Sequence, residues 1–238
     1  MNSINKTARR AGFLYFIYML THIISDVWRD SFIVPGDTAA TANNIMAHEG
    51  LFTITAVGDP LSAALFFLAA WALFVLLKPV NKNLALLFLL LNLAGAVIQC
   101  VSAINLFAAL LLMNGPDYLN VFQVAQLQSL AMFFLDLREK GFMVAQLFYG
   151  AWLFPLGYLI FKSGFLPKIL GIILMVHCFT WLLTFFQSFL FPGFMAITYV
   201  SYPLGFIAEF GLTLWLLVMG AKEQKPASVE FKHPSQGE

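Results

Sequence analysis

Residues 84–113 read LALLFLLLNLAGAVIQCVSAINLFAALLLM, a stretch with no charged side chain. A helix rises about 1.5 Å per residue, so this stretch is longer than the roughly 30 Å hydrocarbon core of a bilayer. Its flanks are breakers and basic residues: Lys78-Pro79 and Lys82 before it, Asn114-Gly115-Pro116 after it. Five further segments pass the same test, at about 12–33, 51–77, 142–161, 165–191 and 194–220. The whole chain agrees with them. Of 238 residues 61% are hydrophobic, 26 are Phe, and only 11% are charged, against about 25% charged in an ordinary soluble domain. So few charges could not clothe a soluble domain of this length. The fold expected is therefore an all-α polytopic transmembrane bundle of six spanning helices.

Charge places the termini. Lys6, Arg9 and Arg10 precede the first span, Lys78 and Lys82 follow the second, Lys162 and Lys168 follow the fourth, and Lys222, Lys225 and Lys232 follow the sixth. Ten of the thirteen Lys and Arg thus fall on one side. Short basic loops stay cytoplasmic, which predicts both termini inside. The basic start of the first span resembles a signal peptide, but His22, Asp26, Arg29 and Asp30 interrupt its apolar core, so it reads as a retained helix. Residues 1–222 form one transmembrane domain, and the polar tail 223–238 is expected to be disordered and cytoplasmic.

Two outer connections are long. In 35–50, Asp37 or Thr38 is placed to cap a short helix running to Ala47. In 114–141, Tyr118, Phe122, Leu127, Leu130 and Phe134 alternate with Gln123, Gln126, Gln128 and Asp136. That mixture predicts an interfacial or re-entrant helix. The charge cluster Asp136–Lys140 reads as a solvated helix end.

Ionisable groups in a bilayer are costly, so they face the bundle interior and have partners. The first helix carries Tyr15, Tyr18, His22, Asp26 and Arg29 on one face. The third carries Asn92, Gln99 and Ser102, the fifth His177, Thr180, Thr184 and Gln187, and the sixth Thr198, Tyr202, Glu209 and Thr213. Counted along their spans, His22, Gln99, His177 and Glu209 lie near mid-bilayer, while Asp26, Arg29, Asp59 and Tyr202 lie further out. The expectation is a polar cavity in the middle and outer half of the bundle, formed by these eight residues. Glu209 must be paired or protonated, and its expected partners are His177 and His22, or failing a cation, Gln99 or a tyrosine.

No chemistry declares itself. Cys100 and Cys178 sit in apolar runs, with no CxxC. The histidines lack HxxxH or HExxH spacing, so no metal site is assigned. No nucleophile stands out for a hydrolase, no Gly-rich phosphate loop is present, and a net charge of +1 gives no basis for binding nucleic acid. No catalytic residue or cofactor is assigned.

VPGDTAATANNI at 34–45, LLKPVNKNLALL at 76–87, FYGAWLFPLGYLIFKSGFLPKILGIIL at 148–174 and AEFGLTLWLLVMGAK at 208–222 together resemble the DUF4386 family of bacterial integral membrane proteins. The resemblance runs over about residues 8–222. Gly36, Asp37, Gly150, Gly157, Tyr158, Ser163, Gly164, Pro167, Gly171, Glu209 and Trp215 fall on family-like positions. It implies a multi-pass protein of the bacterial inner membrane and no established reaction. Three readings follow: a protein that binds or transports a small or amphiphilic molecule or lipid, an intramembrane enzyme that could be metal-dependent, and a structural or regulatory membrane protein without a ligand.

Overall fold

The computed structural model describes residues 3–194 and 196–222. The tail expected at 223–238 lies outside the described residues. The helices are α1 (Ser3–Phe32), α2 (Thr38–Ala47), α3 (Glu49–Leu77), α4 (Lys82–Asn114), α5 (Val124–Ala151), α6 (Leu153–Ser163), α7 (Lys168–Leu190), α8 (Ala196–Gly205) and α9 (Gly211–Leu214), with a 3-10 turn at Asp117–Leu119. Two turns of wider π geometry, Phe206–Phe210 and Trp215–Met219, flank α9. Six of the resulting rods are long and apolar enough to cross a membrane, ending with Ala196–Met219.

Local chemistry sets the element ends. The Asp37 carboxylate accepts from the Ala40 amide at 2.8 Å and caps α2 as its sequence suggests. Asn81 caps α4 through the Leu84 amide at 3.0 Å. The break between α5 and α6 traces to Pro155, which has no N–H to offer the Ala151 carbonyl. The two halves still run on as one span, Val124–Ser163.

That span differs from the expectation for 114–141. Residues 124–141 are not a separate interfacial helix. They are the first half of α5, packed lengthwise on α4 and beneath α2. Their apolar face, including Ala131 and Leu135, joins Ile45, Phe52 and Leu106 in an apolar cluster. The Gln-rich side is left outward. At 40 residues the span is about 60 Å long, twice a bilayer core, so a 20-residue window sees only its second half.

The rods form a ring in the order α1, α3, α4, α5–α6, α7 and the last helix, which returns to α1. One end carries the first and last described residues, tied by Arg9 Nη2 donating to the Val218 carbonyl at 3.1 Å. The other carries α2 and the 115–123 loop, where Asn114 donates to Glu49 at 2.9 Å. At the terminal end the ring is shut. Gly12 lies directly on the Leu216–Leu217 backbone, closer than any side chain would permit. Gly157 of α6 and Gly171 of α7 likewise face each other's carbonyls, and a Cβ on either would come within 2.6 Å or less of the other's oxygen. Leu73, Leu77, Phe88, Leu156 and Leu216 fill this end. Between it and the cluster under α2 lies a polar layer.

Candidate functional site

α1 packs on Gly211–Met219 but not comparably on α8, so the ring gapes toward the loop end. Glu209 stands at the base of this gap, in the widened turn Phe206–Phe210. Pro203, six residues earlier, removes a donor from the same helix. The Glu209 carbonyl accepts from Thr213 Oγ1 at 2.7 Å. Widened turns of this type cost regular hydrogen bonds and recur at functional sites.

The Glu209 carboxylate meets two side chains. Tyr15, fully buried, donates its hydroxyl to Oε2 at 2.6 Å, within the range for an O–H···O hydrogen bond. His177 Nε2 lies 3.5 Å from Oε1, longer than a formed hydrogen bond. The imidazole fits because Gly205 has no side chain. A Cβ there would stand 2.6 Å from both Cε1 and Nε2.

A cavity of about 260 Å³ opens over this group. His22, His177 and Glu209 supply its polar lining, with Gln146 beside them. Aromatic rings make most of the rest. Tyr18 stacks on Phe66 at 4.1 Å between centroids, and Trp152 meets Phe66 edge-on at 4.9 Å. Opposite, Trp181 lies 5.3 Å from His177 and 5.8 Å from Tyr202. Its indole N–H donates to Gln146 Oε1 at 2.9 Å. Ile23 and Phe206, both about half-exposed, rim the gap between α1 and the last helix.

A second cavity of about 280 Å³ adjoins the first toward the loop end, sharing His22, Phe142, Gln146, Trp181 and Tyr202 with it. Asp26, Arg29 and Arg138 line it. Here both cations have carboxylate partners, and Asp30 and Glu139 add further acid at the rim. Arg29 Nη2 donates to Asp26 Oδ1 at 2.6 Å, and His22 Nε2 lies 3.3 Å from Asp26 Oδ2. Arg138 donates from Nε and Nη2 to Asp59 Oδ2 at 2.8 and 2.6 Å. Asp59 Oδ1 accepts from Gln99 Nε2 at 2.7 Å, and Gln99 Oε1 accepts from the Tyr149 hydroxyl at 2.8 Å.

The eight residues singled out in the sequence therefore divide. His22, His177, Tyr202 and Glu209 line the inner chamber, and Asp26 and Arg29 the outer. Asp59 and Gln99 line neither and are sealed behind Tyr149 and Arg138. Of the partners named for Glu209, His177 is adjacent. His22 shares the chamber but pairs with Asp26, and Gln99 is committed to Asp59. Three side chains went unassigned in the sequence, Arg138 and the α5 pair Gln146 and Tyr149, and the donor to Glu209 given there only as a tyrosine is Tyr15. Arg138 is not a solvated helix end, because only 2% of it is exposed. A signal for it existed. Arg138, Phe142, Ala145 and Tyr149 recur at steps of four, three and four, which puts them on one helix face. Among the described residues, no group of three or more His, Cys, Asp or Glu is placed to hold a metal ion.

The sequence profile of "Domain of unknown function (DUF4386)" matches residues 10–220. An uncharacterized protein of Archaeoglobus fulgidus is 28% identical over 176 residues, covering 73% of this chain and 83% of the relative. No solved structure matches the chain.

Proposed function

We propose a function from geometry, since the chain belongs to the DUF4386 family, a family of unknown function: this multi-pass membrane protein binds a small amphiphilic molecule in the paired chambers above Glu209. One observation carries the reading. A polar chamber holding His22, His177 and Glu209 stays open in the half of the bundle where α1 and α8 diverge, although burying such groups costs free energy. A bundle needing only internal hydrogen bonds would close it, as the terminal end closes.

The ligand enters sideways through the gap between α1 and α8. Its polar head reaches Glu209 and His177, and its apolar part lies along Ile23 and Phe206. The basic residues at the terminal end support a cytoplasmic position for both termini, which turns the chambers to the outer half of the bilayer. A bacterial inner membrane is the setting that accompanies this topology.

The test is capture. The full chain is purified in an alkyl maltoside, and small molecules released by denaturation are identified by mass spectrometry. The wild type should yield one at near-stoichiometric amount. Met19→Trp, which fills the inner chamber, should yield little while remaining monodisperse. Equal recovery from both proteins would refute the reading.

A further inference from the structure

We infer that the ligand's head is an organic cation, an alkylammonium group held by the Glu209 carboxylate within the aromatic walls; this rests on the binding reading above. The charge distribution points there first. Glu209 is the one acidic side chain of the inner chamber, and no Lys or Arg lines it. Both arginines of the site belong to the outer chamber, and each is matched, Arg29 by Asp26 and Arg138 by Asp59. The inner chamber is thus acidic and free of guanidinium, whereas in the outer one Asp26, Asp30 and Glu139 are met by Arg29 and Arg138.

The walls point the same way. Tyr18, Phe66, Trp152, Trp181, Tyr202 and Phe206 all line this chamber. Aromatic faces carry negative charge density and attract an ammonium placed over them, more so once it is desolvated. An anionic head would meet those faces and the carboxylate together.

The histidine gives the finest detail. Thr180 Oγ1 lies 3.0 Å from the His177 carbonyl and 3.3 Å from His177 Nδ1, so when it donates to the carbonyl it accepts from Nδ1. In that neutral tautomer Nδ1 carries the proton, and Nε2 presents a lone pair to Glu209 Oε1. Two acceptors 3.5 Å apart lack a donor between them. An ammonium N–H supplies one and carries the positive charge that the carboxylate wants. With Tyr15 holding the other oxygen, Oε1 is left aimed at the chamber.

The experiment titrates the full chain, in dodecyl maltoside at neutral pH, with decylammonium, decanol and decanoate by calorimetry. Uptake by protein-free micelles is subtracted. Decylammonium should bind at least tenfold tighter than either of the others, and Glu209→Gln should erase the difference. Tyr202→Leu, a change at a half-exposed wall, keeps the test usable if Glu209→Gln does not fold. It should weaken decylammonium several-fold and leave decanol unchanged. Saturable binding of decanol or decanoate as tight as that of decylammonium overturns the cation inference and leaves the binding reading standing. If none of the three binds saturably, while Met19→Trp and wild type also release the same small molecules, both fall.

Discussion

The buried pair Arg138–Asp59 offers a demanding quantitative test. Arg138→Met removes two hydrogen bonds of 2.8 and 2.6 Å to one carboxylate oxygen and leaves Asp59, 1% exposed, without its cation. Stranding one member of such a pair costs about 3–5 kcal/mol. The lower end applies here for two reasons. Gln99 still donates to Oδ1 at 2.7 Å. Arg29 Nη1 waits 3.8 Å from Oδ2 without a hydrogen bond of its own. It needs to move only about 1 Å to form one. For a chain of this size about 3 kcal/mol corresponds to a fall in unfolding temperature of roughly 6–12 °C. Adding Asp59→Leu should recover most of the loss, because no buried charge is then stranded. Gln99 keeps the main-chain carbonyl of residue 59 at 3.2 Å, and Arg29 keeps Asp26. Thermal unfolding in maltoside, followed by tryptophan fluorescence on all three proteins, reads the cycle. A double variant no more stable than Arg138→Met would refute the coupling. An Arg138→Met protein within about 2 °C of wild type would return Arg138 to solvent.

Gly157→Ala should force α6 and α7 apart, since its Cβ would stand 2.6 Å from the Gly171 carbonyl; the expected cost is about 1–3 kcal/mol, and unchanged unfolding temperature would deny the close approach. Gly205→Ala should turn the His177 ring away from Glu209 and lower decylammonium affinity by about tenfold, worth about 1.4 kcal/mol; unaltered calorimetry would show that His177 takes no part. Reporter fusions after Lys82 and Lys168 should report the cytoplasm and one after Gly115 the outside, and the opposite pattern at either basic loop would overturn the orientation.

The features legible in the sequence are those that depend on one helix at a time. Apolar length announces six rods, Asp37 announces its own cap, and the stripes on α1, α7 and the last helix announce which side chains face inward. What escapes depends on partners far along the chain or on backbone detail. Asp136–Lys140 carries the composition of a solvated helix end, and only the contact with Asp59, 79 positions away, makes Arg138 interior. The span containing it is about twice a bilayer's thickness, so a window of membrane length finds its more apolar half and sets 124–141 aside. The π turn at Glu209 leaves no pattern to count, since one residue added to a turn changes spacing by less than the natural scatter of polar positions.

Two acidic residues of the polar layer, Asp59 and Glu209, differ in how fully their oxygens are hydrogen-bonded. Asp59 and Glu209 both sit inside the bundle and both have hydrogen bonds. Asp59 is saturated: one oxygen accepts from Arg138, the other from Gln99, and its side chain is 1% exposed. A ligand could reach it only by displacing a guanidinium. Glu209 has one oxygen closed by Tyr15 and the other facing His177 at 3.5 Å, and its side chain is 23% exposed to the chamber. The difference originates in the backbones. α3 brings Asp59 in just before Pro60, where α1, α4 and α5 all reach it. The last helix carries Glu209 on a widened turn just after its α8 segment, which α1 fails to cover. An unsaturated carboxylate where α1 and α8 diverge is the arrangement that the proposed cation site requires, and Asp59, held by Arg138 of α5 and Gln99 of α4, ties together the helices that meet there.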